Sequence, residues 1–218
     1  MIKAFIFDMD GVIIDSEPIH FEVDLITLEY LGINYSKERL EQFVGMTNPE
    51  MWGVIKKEYN LTLSIDEIIE YQLSKKLYHL DGLQIEPISG IKFLLKALHK
   101  HNIAIGLASS SPRKFIEKVL LKFEINNYFS CVISGEEVEY GKPAPDVYLE
   151  AAHILNVDPE HCVVLEDSAN GVKAAKRAGM RCIGYFNPNS GKQDLSAADI
   201  IVSSIEEITI QDLLKVGS

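Results

Sequence analysis

Apolar and polar positions follow two different patterns along this chain. Residues 1–7 form a short, mostly apolar run, which predicts a buried strand. From residue 16 to residue 81 the apolar positions instead recur every three or four residues, as Phe21, Leu25 and Leu28 do. No strand-like alternation interrupts this second pattern, so we expect a small bundle of helices directly after the first strand.

Helix boundaries inside this block have their own signals. Gly32 is the expected end of the first helix, because glycine readily takes the left-handed conformation that closes helices. Ser64 followed three residues later by Glu67 matches a capping box and predicts the start of another helix. Residues 37–43 and 49–59 predict two further helices between these points.

After residue 86 the two patterns alternate. Short runs rich in β-branched residues predict strands, and the longer amphipathic stretches between them predict helices. The predicted strands are residues 103–108, 131–133, 162–165, 181–184 and 199–202. The predicted helices are residues 90–100, a helix starting near 112, and residues 145–155, 171–178 and 205–214. Such alternation is typical of a parallel sheet with helices on both faces and right-handed crossovers.

The expected fold class is therefore α/β: a doubly wound, Rossmann-like parallel sheet with an inserted α-helical domain. The sheet and its helices would be formed by residues 1–14 and 85–218, and the helical insertion by residues 15–84. A length of 218 residues lies between one and two typical domains, which fits this division.

Composition and charge argue against several classes of protein. Hydrophobic residues make up 47% of the chain and charged residues 24%, which is ordinary for a soluble globular protein. The formal net charge of −11 argues against binding to nucleic acid or to an anionic membrane surface. The sequence has no apolar run long enough to span a membrane, and residues 1–7 lack the cationic and apolar segments of a signal peptide, so we do not expect export. We therefore expect a cytoplasmic protein. We also expect it to be a monomer, although none of these features bears on the oligomeric state.

The three cysteines, Cys131, Cys162 and Cys182, each lie in an apolar, strand-like run. The chain has no Cys-x-x-Cys pair, so we do not expect a zinc site. Small apolar side chains of this kind are usually buried, and an odd number of them does not favour a disulfide framework. We therefore expect three buried thiols in a reducing compartment.

Two carboxylates follow the first predicted strand directly. Asp8 and Asp10 are separated by one residue, and Gly11 comes next. In an open α/β sheet, ligands bind at the carboxyl ends of the strands. Like charges about 4 Å apart repel by about 4 kcal/mol at an effective dielectric constant of about 20. A divalent cation would remove that repulsion, so the pair indicates a metal site.

Three further strand ends carry polar groups that would reach the same edge of the sheet. Ser109 and Ser110 can donate to a phosphate, although serines at this point could simply cap the next helix. Lys142 precedes a proline that favours extended backbone, which suits a fixed positive charge, although a surface lysine is the alternative. Glu166 and Asp167 could cap a helix or complete an all-oxygen site suited to Mg²⁺.

Taken in order, these fragments resemble the four motifs of the haloacid dehalogenase superfamily, most of whose members are phosphatases and phosphomutases. The resemblance covers essentially the whole chain. Residues 8–20 and 141–146 are most similar to the β-phosphoglucomutase-like branch, which also contains many sugar-phosphate phosphatases. The helical insertion resembles the α-helical cap of that superfamily.

The resemblance implies a role for each acidic residue. Asp8 would be the nucleophile that forms an aspartyl-phosphate, and Asp10 would be the general acid and base. Mg²⁺ would be bound by Asp8, the Asp10 carbonyl and Asp167, with help from Glu166. The expected cofactor is therefore Mg²⁺, and the expected partner is a small phosphorylated substrate.

The resemblance also implies contacts to that substrate. Ser109, the Ser110 amide and Lys142 would bind the phosphate oxygens as charge develops on them. In the cap, the resemblance places His20 and Gly45 among the substrate-binding residues. A solvent-facing histidine on the first helix is the alternative for His20.

Two activities remain open at this point. One is a phosphatase that acts on small phosphorylated metabolites, chiefly sugar phosphates. The other is a β-phosphoglucomutase, which interconverts β-glucose 1-phosphate and glucose 6-phosphate. A mutase has Ser-Arg where this chain has Thr47 and Asn48, and that arginine binds the distal phosphate in the family. Lys75 or Lys76 could replace the arginine, although lysines on a helix are usually solvated. We therefore expect a phosphatase, with a catalytically silent binding module as the third alternative.

Overall fold

A computed structural model of the protein describes residues 1–40, 43 and 48–215. The chain divides into two compact units, one of Met1–Asp15 with Ile85–Ser218 and the other of Ser16–Gln84. We refer to them as the core unit and the helical unit. These limits differ from the predicted ones by a single residue, Asp15, which belongs to the core unit.

The core unit is built on a parallel sheet. Its strands are β1 (Ala4–Phe7), β2 (Ala104–Ser109), β3 (Cys131–Ser134), β4 (Cys162–Glu166), β5 (Arg181–Tyr185) and β6 (Ile200–Val202). Over the described residues they form one six-stranded sheet in the order β3-β2-β1-β4-β5-β6, and each neighbouring pair is parallel. The order reverses at β1, which is the doubly wound topology that the alternating pattern predicts.

The helical unit contains no strand among its described residues. Its helices are α1 (Glu17–Tyr30), α2 (Lys37–Leu40), α3 (Asn48–Tyr59) and α4 (Ile65–Gly82). The predicted capping box is present at the start of α4, because Ser64 Oγ accepts from Glu67 N at 3.2 Å and Glu67 Oε2 accepts from Ser64 N at 2.7 Å. Gly32, with a φ of 73°, follows the end of α1 as predicted. Residues 41 and 42 of the helix predicted over 37–43 lie outside the described residues.

The helices of this unit are held together by an apolar core. Leu28, Trp52, Ile55 and Ile68 are buried in one cluster, and they come from α1, α3 and α4. Phe21 and Leu25 of the predicted α1 stripe pack against the same cluster. Burying such a side chain contributes about 2 kcal/mol, so this core stabilises the unit mainly by removing apolar surface from water.

Five further helices belong to the described part of the core unit. They are α5 (Ile91–Lys100), α6 (Arg113–Lys122), α7 (Asp146–Leu155), α8 (Ala169–Arg177) and α9 (Ile210–Lys215). α8 begins two residues before the predicted start because Ser168 caps it: the Ser168 hydroxyl accepts from Gly171 N at 3.0 Å.

Both faces of the sheet are apolar. Ile6 and Val164 point to one face, where they form a buried cluster with Val147 of α7 and Val172 of α8. Phe7, which alternates with Ile6, points to the opposite face and is fully buried. A strand packed on both faces has little freedom to move, so the residues that directly follow β1 and β4 have fixed positions.

The cysteines have the predicted environment. Cys131, Cys162 and Cys182 are buried free thiols. Burial raises the pKa of Cys131 and of Cys162 to about 11, so neither is a reactive thiolate at neutral pH.

Within the described ranges, no helix has the length and apolar content that crossing a membrane requires.

Candidate active site

The strand order brings most of the predicted site residues to one edge of the sheet. β1 lies between β2 and β4, and all three strands run in the same direction. Asp8 directly follows β1, Ser109 ends β2, and Glu166 with Asp167 stands at the end of β4. Their side chains are all buried. The site is therefore built from the carboxyl ends of three adjacent parallel strands.

Lys142 reaches this edge from the loop before α7. Its ammonium group lies 2.7 Å from Asp8 Oδ1 and 2.7 Å from Glu166 Oε1, and it also donates to the Ala108 carbonyl at 3.1 Å. Burial alone would lower the pKa of Lys142, but attraction to Asp8 and Glu166 raises it well above its ordinary value. Lys142 is therefore a permanent positive charge inside the site and not a surface lysine. The peptide bond to Pro143 is cis.

The site holds more negative than positive charge. Asp8, Glu166 and Asp167 each offer a carboxylate oxygen within 4.8 Å of the other two, and Lys142 supplies one positive charge against them. Burial raises the pKa of Asp8 well above its ordinary value, and the neighbouring carboxylates add to this shift while Lys142 opposes it. Burial, together with Glu166, raises the pKa of Asp167 to about 7. A divalent cation would relieve this excess charge, and the donor set consists of oxygen alone.

Glu166 uses both carboxylate oxygens to accept hydrogen bonds. Oε1 accepts from Lys142 and, at 3.0 Å, from the hydroxyl of Tyr148, while Oε2 accepts from the amide and hydroxyl of Ser168. A Cβ at Gly171 would lie 1.5 Å from Oε1, so only glycine leaves room for this carboxylate. Glu166 is thus held rigidly and, in turn, holds Lys142.

The Asp10 carboxylate has different neighbours from the other acids. Its Oδ2 accepts from the hydroxyl of Ser111 at 2.8 Å and from that of Ser109 at 3.1 Å. Ser109 Oγ also accepts from the amide of Ser111 at 3.0 Å. The predicted metal contact of Asp10 is through its backbone carbonyl, so this arrangement of the side chain does not conflict with it. Ser110, between the two serines, is exposed.

Asp167 is packed against the turn that follows β1. Gly11 has a φ of 74°, and a Cβ there would lie 1.9 Å from Asp167 Oδ2, so both the backbone conformation and the lack of space require glycine. The same oxygen accepts a short hydrogen bond from the hydroxyl of Ser190, in the loop after β5. Gly11, which follows the pair Asp8 and Asp10, therefore leaves the space that the Asp167 carboxylate occupies.

The residues predicted to bind substrate in the cap belong to the helical unit. His20 lies on α1, the helix that also carries Asp24, and burial raises the pKa of Asp24. Gly45 and Thr47 lie outside the described residues. Asn48 donates from Nδ2 to Gln72 Oε1 at 2.9 Å.

The two lysines of α4 differ from what a solvated helix surface would predict. Lys75 is partly buried and lies 5.0 Å from the centre of the Tyr71 ring. Lys76 is buried, and its charge opposes the upward pKa shift of Asp24. Lys76 lies three residues after Leu73 and four before Leu80, on the apolar side of α4, where its charge alone suggested an exposed position.

Sequence reasoning missed four residues that contact the site. Ser111 is the last of three consecutive serines, and only the first two were assigned a role. Tyr148 has the pattern of an ordinary packing residue of α7. Asn187 and Ser190 lie in a short polar segment beside Pro188, which is typical of a turn that carries no functional residues. Only Ser111 had a usable signal, because it is the third serine after a predicted strand end.

Comparison with known proteins gives a consistent result. A family model described as haloacid dehalogenase-like hydrolase matches residues 5–185. Hexitol phosphatase B of Escherichia coli K12 is 35% identical, over 98% of this chain and 97% of its own length. Beta-phosphoglucomutase of Bacillus subtilis is 32% identical, over 96% of this chain and 92% of its own length.

A solved structure agrees with these relatives. It is that of a CbbY mutant from Rhodobacter sphaeroides in complex with xylulose-(1,5)-bisphosphate, which matches with a TM-score of 0.89 and 25% sequence identity. The match covers 98% of this chain and 99% of the CbbY chain. Fold, site and relatives lead to the same conclusion: the chain belongs to the haloacid dehalogenase-like hydrolase family.

Proposed function

We propose that the protein is a Mg²⁺-dependent phosphatase that hydrolyses small phosphorylated metabolites, chiefly sugar and sugar-alcohol phosphates, through an aspartyl-phosphate on Asp8. The observation that carries the proposal is the buried pair of Asp8 and Lys142, 2.7 Å apart within a cluster of acids at the edge of the sheet. Buried charge in excess of its counter-charge is unfavourable for stability and is typical of a reactive site.

Asp8 is the proposed nucleophile. Lys142 contacts Asp8 Oδ1 and so fixes the orientation of the carboxylate. In the first step, an Asp8 oxygen forms a bond to phosphorus while the bond from phosphorus to the substrate's ester oxygen breaks. In the second step, water attacks the same phosphorus and the acyl phosphate bond breaks, which regenerates the Asp8 carboxylate. Covalent catalysis of this kind divides one difficult displacement into two easier ones.

Asp10 is the proposed acid and base. It gives a proton to the departing ester oxygen in the first step and takes one from the attacking water in the second, so the proton count balances over the cycle. The hydroxyls of Ser109 and Ser111 both donate to its Oδ2, and they would orient the carboxyl group between the two transfers.

The acidic cluster fits Mg²⁺ in charge and donor type. Asp8, Asp167 and the Asp10 backbone carbonyl would hold it, and the ion would supply positive charge that lets an anionic phosphate approach an anionic carboxylate. Since both oxygens of Glu166 already accept hydrogen bonds, its proposed contribution is to hold Lys142 and to keep the site negative.

The phosphate itself would be bound by Lys142, by the Ser110 amide and, once it turns away from the Asp10 carboxylate to which it donates, by the Ser109 hydroxyl. Lys142 is a rigid positive charge, and the serines lie just before the N-terminus of α6, where backbone amides favour an anion. Positive charge fixed in advance stabilises the additional charge that develops on the phosphate oxygens in the transition state.

Phosphatase activity is favoured over mutase activity by residue 48. A mutase of the family has an arginine there for the second phosphate, whereas Asn48 carries no charge and donates from Nδ2 to Gln72. The similarity to hexitol phosphatase B supports sugar-alcohol phosphates as substrates. The similarity to beta-phosphoglucomutase keeps the mutase as the alternative to test.

The test is phosphate release from a panel of sugar and sugar-alcohol phosphates with Mg²⁺, run beside a coupled assay that detects conversion of β-glucose 1-phosphate to glucose 6-phosphate. We expect phosphate release from several substrates, its loss in excess EDTA, and no isomerisation. Isomerisation with little free phosphate would establish the mutase instead. Full activity in excess EDTA would contradict the metal assignment.

A further inference from the structure

The loop after β5 makes hydrogen bonds to two separate parts of the active site. We call residues 187–193 the β5 loop. Asn187 is buried, although asparagine is usually found at surfaces, and it lies in the core unit with the rest of the site. The mechanism proposed above uses none of these residues, so their contacts need another explanation.

The first contact is made by Ser190. Its hydroxyl donates to Asp167 Oδ2, the oxygen that also faces Gly11. A Cβ at Gly11 would lie 2.8 Å from Ser190 Oγ as well as 1.9 Å from the Asp167 oxygen. The three groups are therefore in close contact, and the direction of the Asp167 carboxylate depends on the hydroxyl.

The second contact fastens the loop to the turn after β1. Asn187 Nδ2 donates to the Gly11 carbonyl at 2.9 Å, and Asn187 Oδ1 accepts from the Asn189 amide at 2.9 Å. Both ends of the Asn187 side chain are thus engaged. The amide of Ser190 also donates to the Asn187 carbonyl, at 3.2 Å, which places Ser190 directly after this anchor.

The third contact fastens the far end of the loop to the start of α8. Gln193 donates from Nε2 to the Ser190 carbonyl at 2.9 Å, and its Oε1 accepts from the Ala169 amide at 3.0 Å. Ala169 lies two residues after Asp167. Gln193 therefore links the backbone of Ser190, through hydrogen bonds, to the segment that contains Asp167.

From these contacts we propose that Ser190 is a positioning residue for Asp167, held in place by Asn187 on one side and Gln193 on the other. By donating to Oδ2 it fixes the direction of the carboxylate, which would be one of the ligands of a divalent cation. The proposal rests on the metal site of the proposed function and assigns a loop to it that no sequence motif marks. Partners of this kind typically change metal affinity about 10- to 100-fold when removed.

The test uses Mn²⁺ as a paramagnetic probe in place of Mg²⁺. Its binding to the substrate-free protein is measured by the loss of the EPR signal of the free ion. For Ser190→Ala we expect a dissociation constant about 10-fold higher than for the wild type. Ser190→Thr keeps a hydroxyl and should restore most of the affinity. Ser196→Ala is the matched control, because it removes a hydroxyl from an exposed site shortly after the loop.

Thermal unfolding without metal separates positioning from simple damage. Ser190→Ala should unfold within a few degrees of the wild type, while its Mn²⁺ affinity falls. Gln193→Ala, at a partly exposed position, should also weaken Mn²⁺ binding, but by less than Ser190→Ala does. This second variant tests the positioning role even if Ser190→Ala is poorly folded.

The possible failures can be told apart. If the wild type binds Mn²⁺ but Ser190→Ala and Gln193→Ala bind it equally well, the positioning role is wrong and the proposed function stands. An equal loss in Ser196→Ala would also overturn the role, since the effect would not depend on Asp167. If the wild type binds no Mn²⁺, the metal site of the proposed function is wrong and the inference fails with it.

Discussion

The core unit and the helical unit both bury charged groups, but the balance of charge differs between them. In the core unit, Lys142 is the ammonium group that faces three clustered carboxylates. In the helical unit, Asp24 has the charge of Lys76 nearby and accepts a hydrogen bond from Gln72. We infer that buried charge as such does not mark the reactive site of this protein; unbalanced buried charge does.

Neutralising one aspartate in each unit tests this difference with the largest expected effect. Asp8→Asn keeps the shape of the side chain but removes the nucleophile, so we expect phosphate release to fall about 10³-fold or more. Asp24→Asn should lower it by less than about 10-fold, because Asp24 has no proposed part in bond formation. The measurement is the steady-state rate at saturating Mg²⁺. Equal losses in the two variants would contradict the distinction.

The site residues that the sequence predicts are mainly those that lie at the ends of strands. Asp8, Ser109 and Glu166 were found because each stands at the end of an apolar strand, and the parallel order of the strands dictates that such ends meet. Their position as a group therefore follows from the alternation of strands and helices. No comparable rule brings together side chains that lie within helices or long loops.

The residues that were missed show this limit. Tyr148 donates to Glu166 from inside the apolar face of α7, where a tyrosine is indistinguishable from a packing residue. Ser190 reaches Asp167 only because of the path taken by the chain after β5. Lys76 is buried, although a lysine beside another lysine, Lys75, suggests a solvent-exposed helix surface. Each depends on tertiary contacts that a local pattern does not contain.

Two glycines, one in each unit, differ in the space that surrounds them. A Cβ at Gly171 would lie 1.5 Å from Glu166 Oε1, whereas one at Gly82, in α4, would meet nothing within 4 Å. Gly171→Ala should therefore displace Glu166 from Lys142, lower activity about 100-fold and destabilise the fold by about 1–3 kcal/mol. Gly82→Ala should leave activity unchanged.

Activity assays and urea unfolding of the two alanine variants measure these effects. Unfolding should be monitored by circular dichroism, which follows the loss of the helices in which both substitutions lie. If Gly171→Ala were as active and as stable as Gly82→Ala, the rigid contact between α8 and Glu166 would be of no consequence.

The pH dependence of stability tests the excess charge directly. The pKa of Asp167 is about 7 in the folded protein and 3.8 ordinarily, so the folded state binds more protons between these values. Without metal, its contribution to the free energy of unfolding should be full below about pH 4 and fall by at most about 1.4 kcal/mol per pH unit up to about pH 7.

Urea unfolding in EDTA, for the wild type and for Asp167→Asn, isolates this contribution as the difference between the two proteins. We expect that difference to decrease as the pH rises, and excess Mg²⁺ should reduce its slope. A difference that increases with pH would mean that the carboxylate of Asp167 is stabilised in the fold, contrary to its burial beside Glu166.

The smallest effect is expected from the polar contacts of the helical unit. Gln72→Leu removes the partner of both Asn48 and Asp24 and should cost about 1–3 kcal/mol of stability, with the rate of catalysis changed less than about threefold. Ser74→Ala, on the same helix, removes a hydroxyl at an exposed position and should change stability by less than about 0.5 kcal/mol. Chemical denaturation and steady-state rates provide the two readouts.

In the proposed reaction, phosphate is transferred to Asp8. Borohydride reduces an acyl phosphate to the alcohol, so quenching the enzyme with borohydride during turnover should convert residue 8 to homoserine, which peptide mass spectrometry detects. We predict homoserine at position 8 only when substrate and Mg²⁺ are present. Homoserine at another aspartate, with Asp8 unmodified while phosphate is being released, would contradict the account.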